Sequence, residues 1–195
     1  MRLKVIVATA VGVALALSGA TAATADDTGK VDRAEFDAIE LGDTLASARA
    51  VFDSKGVHEN SYYAGGIEYR TMRWVPTTSP YGVVNLDVRR FDGVWRVVIK
   101  SAIWLDGPLD SEADKVTKAE YRQIAKGMRL ARVREIAGTA GHITEESYSQ
   151  WGRTILVEWP IRNDGGGTVG VRFERRNGAY VVTEKYAFWG IAASS

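Results

Sequence analysis

Asp32-Arg33-Ala34-Glu35-Phe36-Asp37-Ala38-Ile39-Glu40-Leu41-Gly42 recurs 85 positions later as Thr117-Lys118-Ala119-Glu120-Tyr121-Arg122-Gln123-Ile124-Ala125-Lys126-Gly127. The same offset continues without a gap, so that Leu45, Gly56, Tyr63, Trp74, Arg90, Gly93, Lys100 and Trp104 return as Leu130, Gly141, Tyr148, Trp159, Arg175, Gly178, Lys185 and Trp189. A match held over the 74 residues from Val31 to Trp104 reads as one small unit copied in tandem. Each copy is small for a domain, so hydrophobic contact between the two is the expected remedy.

The quoted stretch opens a helix in both copies. Thr117 and Glu120 have the spacing of a capping box, and Asp32 and Glu35 stand at the same places in the first copy. Phe36 and Ile39, like Tyr121 and Ile124, lie three apart on one helical face. Gly42 and Gly127 fit left-handed helix ends. A second helix follows, with an apolar stripe of Leu45, Ala48, Val51 and Phe52 matched by Leu130, Val133, Ile136 and Ala137. Thr44 can cap it in the first copy, Arg129 stands there in the second, and Gly56 and Gly141 are expected to end it.

Beyond these glycines the period changes to two, and β-branched and aromatic residues dominate. Strands are expected over Val57 to Tyr63, Tyr69 to Val75, Val83 to Arg90 and Val94 to Trp104, and over His142 to Tyr148, Thr154 to Trp159, Thr168 to Arg175 and Ala179 to Trp189. Asp92-Gly93 and Asn177-Gly178 are hairpin turn signals. Alternation puts Leu86, Val88, Trp95, Val97 and Ile99, with Val171, Phe173, Tyr180 and Val182, on the buried face. Arg73, Asp87, Arg89, Arg96 and Lys100 then fall on the other face. The expected fold is α+β: two tandem repeats, residues 31–106 and 116–190, joined by a polar linker over 107–115. Each repeat is a helix-loop-helix plus an antiparallel sheet of about four strands, with helices on one face and the other face open and concave.

The amino terminus reads as an export signal over residues 1–25: Arg2 and Lys4 precede the apolar run Val5 to Leu17, and Ala23-Thr24-Ala25 suits cleavage. That run is shorter than the roughly 20 residues a membrane span needs. The expected product is secreted, with residues 26–30 and the tail 191–195 disordered. Without Arg2 and Lys4 the basic residues fall from 25 to 23 against 24 acidic ones, a net charge of −1 that gives no argument for nucleic acid. The chain has no cysteine, so neither a disulfide nor a lipid anchor on cysteine is available to it.

Groups for catalysis are scarce, and the expectation is a non-enzyme without metal or cofactor. His58 and His142 miss equivalence by one position and lack the spacing of a zinc helix. Glu145 and Glu146 point to opposite faces if extended, and read as a solvated loop. Gly165-Gly166-Gly167 has no Lys-Ser/Thr after it and reads as a hairpin tip rather than a phosphate cradle. Recognition has better candidates. Trp74, Trp104, Trp159 and Trp189 read as repeated core anchors, whereas Tyr62, Tyr63, Tyr81, Tyr148 and Trp151 sit near loops and strand ends. Arg73, Arg89, Arg96, Glu158, Arg172 and the loop residue Asp164 complete the expected protein-binding set, with Lys100, Glu174 and Lys185 beside them on the open face.

Phe36-x-x-Ile39-x-x-Gly42 and Tyr121-x-x-Ile124-x-x-Gly127-Met128, each followed by an amphipathic helix and a glycine, resemble the repeats of the beta-lactamase inhibitory protein family. These are secreted actinobacterial proteins. The resemblance covers nearly all of the chain after the export signal. It implies a monomer of two helix-loop-helix and sheet units whose concave surface clamps another protein, in that family a class A beta-lactamase. The chain departs from the family in lacking a disulfide in each repeat. Its loop Val75 to Gly82 has Tyr81 but no carboxylate, and its loop Ile161 to Gly167 has Asp164 but no aromatic, whereas the family's inhibitors insert an acidic residue from one and an aromatic from the other. The expected partner is a secreted or cell-envelope protein, with a beta-lactamase-like enzyme as one candidate. A carbohydrate or cell-wall ligand stacked on Tyr62, Tyr63, Trp151 or Tyr81 is the alternative.

Overall fold

A computed structural model of the chain describes residues 28–105, 115–161 and 167–190. The expected export signal, the expected linker apart from Lys115, Asp164 and the expected tail lie outside the described residues. The fold is α+β. Two short helices, α1 (Arg33–Ala38) and α2 (Leu45–Val51), precede β1 (Val57–Ala64), β2 (Ile67–Trp74), β3 (Val83–Phe91) and β4 (Val94–Ile103). Two more, α3 (Lys118–Gln123) and α4 (Leu130–Ala137), precede β5 (His142–Ser149), β6 (Gly152–Pro160), β7 (Thr168–Arg176) and β8 (Ala179–Phe188). All eight strands form a single open antiparallel sheet in chain order, with β1 and β8 at its edges. Strand ends fall within two residues of those expected from the sequence.

The capping signals are satisfied as the side chains dictate. Asp32 and Thr117 each accept the amide of the glutamate three residues on, and Glu35 and Glu120 each accept the cap amide in return. Thr44 Oγ1 caps α2, and Arg129 offers α4 no side-chain cap. Phe36, Ile39, Leu45, Ala48 and Phe52 pack with Met72, Trp74, Val84, Leu86, Val88, Val97 and Trp104. Ile124, Val133 and Ala137 pack with Ile155, Val157, Trp159, Val169, Val171, Phe173 and Val182. Each large apolar side chain so buried contributes about 1.5–3 kcal/mol.

The glycines do other work than expected. The first helices end at Ala38 and Gln123, before Gly42 and Gly127, whose amides donate to Val97 O and Val182 O at 2.8 Å. The loops between helices therefore lie along the edges of β4 and β8 like short strands. Gly56 and Gly141 do not end the second helices, which stop at Val51 and Ala137. Both have positive φ, and a Cβ on either would stand 2.4 Å from the indole of Trp74 or Trp159. Their lack of a side chain is what lets each tryptophan close the core, its Nε1 donating to Ser54 O or Thr139 O.

A bulge overturns one expected face. Across β3 and β4, Asp87 pairs with Ile99 and Val88 with Val97, which leaves Val98 without an opposite residue. One extra residue reverses the alternation beyond it. Lys100 therefore turns to the helix side and is buried, and Ile99 to the other face. Thr183 is the extra residue of β8, and Lys185 likewise faces the helices. Each ammonium caps the end of a helix: Lys100 Nζ donates to Phe36 O at 2.7 Å, and Lys185 Nζ to Tyr121 O at 2.8 Å and Ile124 O at 2.5 Å. Burial lowers the pKa of both lysines. The bulge residues Glu59 and Val98 stand 85 positions before the bulge residues Thr144 and Thr183.

Candidate binding surface

Residues alternating with the core line the face of the sheet away from the helices. Thr71 Oγ1 donates to Asp87 Oδ1 at 2.7 Å, Arg73 meets Glu59 at 3.3 Å, and Arg172 donates to Glu145 at 2.8 Å over the buried Leu156. Tyr62 stacks on Tyr69 with ring centres 5.1 Å apart, and its pKa is raised by burial and then by the charge of Asp87. The Tyr186 hydroxyl donates to Glu158 at 2.7 Å while its ring lies over Gly170, where a Cβ would be 2.2 Å away. Burial and that carboxylate push the Tyr186 pKa well up. This face thus carries paired charges and flat aromatics.

The meander sorts the expected residues by end. Turns β1–β2, β3–β4, β5–β6 and β7–β8 gather at one end of the sheet, and the β2–β3 and β6–β7 loops at the other. Trp151, 77% exposed, is at the first end and Tyr81, 85% exposed, at the second, so no single small site contains both. Tyr62 and Tyr63 point to opposite faces, and Tyr63 is 74% exposed on the helix side of edge strand β1. Tyr148 lies within β5 rather than in a loop, half-buried under the helices, with its hydroxyl donating to Glu146 at 2.8 Å. Burial, and then that carboxylate, drive the Tyr148 pKa far up.

Glu146 itself is buried rather than solvated, while Glu145 faces the other way as alternation requires. It receives the Trp104 indole N–H, the Tyr148 hydroxyl and the Arg33 guanidinium, the last at 3.4 Å. Two of its three partners, Trp104 and Arg33, lie 42 and 113 residues away, beyond the reach of any local pattern. His58 has local partners, its Nε2 lying 2.9 Å from Ser61 Oγ and 3.0 Å from Asn60 O. Among the described residues no three His, Cys, Asp or Glu are grouped to hold a metal, and no helix is long and apolar enough to cross a membrane.

One arrangement at the Trp151 end does not follow from strand alternation alone. Strands β4 and β5 pair only over Ile99–Ile103 and Glu145–Ser149. Before Ile99 the edge of β4 is taken by the α1–α2 loop, with Val97 N donating to Asp43 O at 2.8 Å. The separation opens a notch of about 360 Å³ lined by Leu41, Gly42, Arg89, Phe91, Arg96, Val97, Val98 and Gln150. Arg89 and Arg96 lie directly opposite one another across β3 and β4. Arg89 lies 5.8 Å from the centre of the Phe91 ring, and Arg96 donates to Gly42 O at 2.9 Å. Among the described residues neither guanidinium meets a carboxylate. Phe91, Val94 and Leu41 are exposed beside them, and Trp151 follows Gln150 in the next turn.

Arg89, Arg96 and Trp151 are among the binding residues expected from the sequence, and Phe91 and Leu41 are not. Both are apolar residues next to turn signals, which was the available clue. Set against protein-family models and against curated proteins, the chain matches none.

Proposed function

We propose that this chain is a secreted, non-catalytic protein-binding module made of two copies of one helix-loop-helix and four-stranded unit, similar to the beta-lactamase inhibitory proteins. The recurrence of capping boxes, glycine–tryptophan contacts, helix-capping lysines and bulges at the same offset supports the duplication. Bulges in four strand pairs bend the sheet locally, in keeping with the concave face away from the helices that the resemblance implies. The observation that carries the binding reading is the notch between the β3–β4 and β5–β6 turns. Two guanidiniums without carboxylate partners are walled there by exposed apolar residues, and Trp151 stands alongside. Such a site suits a carboxylate next to an aromatic or aliphatic group on a partner protein. Inhibition of a class A beta-lactamase is the narrower version of the same reading.

Pull-down from secreted and cell-envelope proteins tests it. A partner captured by the wild type and lost with Arg89→Ala or Trp151→Ala is the expected result, and capture indifferent to both changes would sink it. Nitrocefin hydrolysis unaffected by micromolar protein would remove the beta-lactamase version alone. The exposed Trp151 indole also borders a shallow hollow of about 450 Å³ with Arg153, Arg175 and Gly178, which supports stacking of a sugar ring as a second reading. Retention on peptidoglycan that depends on Trp151 but not on Arg89 would favour it.

A further inference from the structure

The sheet leaves two edges, and they match a junction that the chain already makes internally. At that junction β4 and β5 pair Ile99 with Ser149, Lys100 with Tyr148, Ser101 with Ser147, Ala102 with Glu146 and Ile103 with Glu145. Lys100 Nζ stands 4.7 Å from the centre of the Tyr148 ring, and Phe36 meets that ring edge-on. Moving each partner by the 85-residue offset gives Glu184 with Ala64, Lys185 with Tyr63, Tyr186 with Tyr62, Ala187 with Ser61 and Phe188 with Asn60. The first member of each pair is on edge strand β8 and the second on edge strand β1. They cannot meet within one molecule, since the other six strands lie between them.

The side chains suit such a pairing. Tyr62, Tyr63, Tyr186 and Phe188 are exposed large hydrophobic residues, and all four lie on these two edges. Lys185 lies 4.2 Å from the Tyr121 ring, as Lys100 lies 4.5 Å from Phe36, so a tyrosine placed over Lys185 would complete the same cluster. The backbone is in phase as well. Trp104 N donates across the junction to Thr144 O, and alternation turns the amides of Lys100 and Ala102 the same way. Val182 N points outward to Met128 O, and past the bulge so do the amides of Lys185 and Ala187. An edge that presents such a row of donors is a template for another strand.

We propose that β8 of one molecule accepts β1 of a second copy of this chain, in the register that β4 and β5 use internally, with Tyr63 seated on Lys185 and Tyr121. The inference rests on the reading of the chain as two copies of one unit. The contact is heterologous, so association runs head to tail and does not stop at a dimer unless it closes into a ring. It extends the monomer expected from the sequence to concentrated protein, since only five residue pairs are added per contact.

Sedimentation velocity of the full chain from about 10 µM to about 1 mM tests it without any partner protein, so a negative result here leaves the binding function of the notch standing. A series growing beyond dimers is expected. Tyr63→Lys places like charges across the contact, and Ala187→Pro removes an outward donor without touching the β7 ladder. Each is expected to weaken association at least about tenfold, while Tyr81→Ala at the other end leaves it unchanged. A single monomeric species throughout, a series that stops at a two-fold dimer, or association indifferent to Tyr63→Lys overturns the proposal. So does hydrogen-exchange protection of the Lys185 and Ala187 amides in dilute protein.

Discussion

Trp104 and Trp189 both directly follow a strand, 85 positions apart, and their surroundings diverge. Trp104 is fully buried: Phe36 packs edge-on against it, Arg33 lies 4.6 Å over its ring, and its indole N–H donates to Glu146. Trp189 keeps the edge-on aromatic, Tyr121, and the cation, Lys118 at 5.2 Å, yet remains half-buried. The difference is the strand that follows. Strand β5 covers the outer edge of β4 and brings Glu146, whereas among the described residues nothing pairs with the outer edge of β8 beyond Thr183, its inner edge being taken by β7. Equivalent positions with similar local partners thus build a core on one side and a margin on the other, and the neighbouring strand makes the difference.

Truncation of the two tryptophans separates these edges most sharply. Trp104→Ala is expected to lower unfolding free energy by about 4 kcal/mol and Trp189→Ala by only about 1–2 kcal/mol, measured in dilute protein by urea denaturation. Equal losses would mean that β8 is covered in solution. Next comes Glu146→Ala, which leaves the buried Trp104 indole N–H and the half-buried Tyr148 hydroxyl without their acceptor and should cost about 3 kcal/mol, while Arg33 keeps its bond to Ile143 O. Its counterpart, Ser61→Ala on β1, is exposed and should stay within about 0.5 kcal/mol.

Gly56→Ala and Gly141→Ala probe where the two halves agree. Both should cost about 2 kcal/mol or more through the clash with Trp74 or Trp159 and the positive φ. Gly42→Ala, with open space around it, should cost about 1 kcal/mol through φ alone. A smaller signal is expected for Arg172→Ala, since the half-exposed pair with Glu145 is worth about 0.5 kcal/mol.

Alkaline titration addresses the seam by another route. The Tyr148 pKa is raised, so its contribution to stability is complete below the unfolded value of 10.0 and is lost as pH climbs above it. Lys100 acts in the opposite sense: its lowered pKa means that stability recovers between its folded value and 10.5. Absorbance of phenolate at about pH 11 should therefore be lower in the folded chain than in urea, and Tyr148→Phe should narrow that gap. Ionisation of Tyr148 together with free tyrosine would contradict its burial against Glu146.

The extent to which the sequence could be read depended on the range of each interaction. Capping boxes, helix stripes, hairpin turns and strand limits depend on residues a few positions apart, and they stand in the chain as expected. Lys100, Lys185 and Ile99 were put on the wrong faces because a bulge adds one residue, which alternation read alone does not register. For the candidate surface, Arg89, Arg96 and Trp151 were legible as charged or aromatic residues near turns. That Tyr81 lies at the opposite end, and that Phe91 and Leu41 wall the notch, followed only from the order of strands.

By itself the sequence determined the α+β class, the 85-residue recurrence and the position of nearly every element, because local propensity and periodicity act over one or two turns of chain. Tertiary structure alone decided that one continuous sheet joins both halves, that Glu146 is buried beside a tryptophan while its counterpart Ser61 stays exposed, and that β1 and β8 are left as margins. Those outcomes depend on pairing between residues tens of positions apart. Backbone hydrogen bonds carry no identity of their own, so the choice of neighbour is written in packing and not in any short stretch of residues.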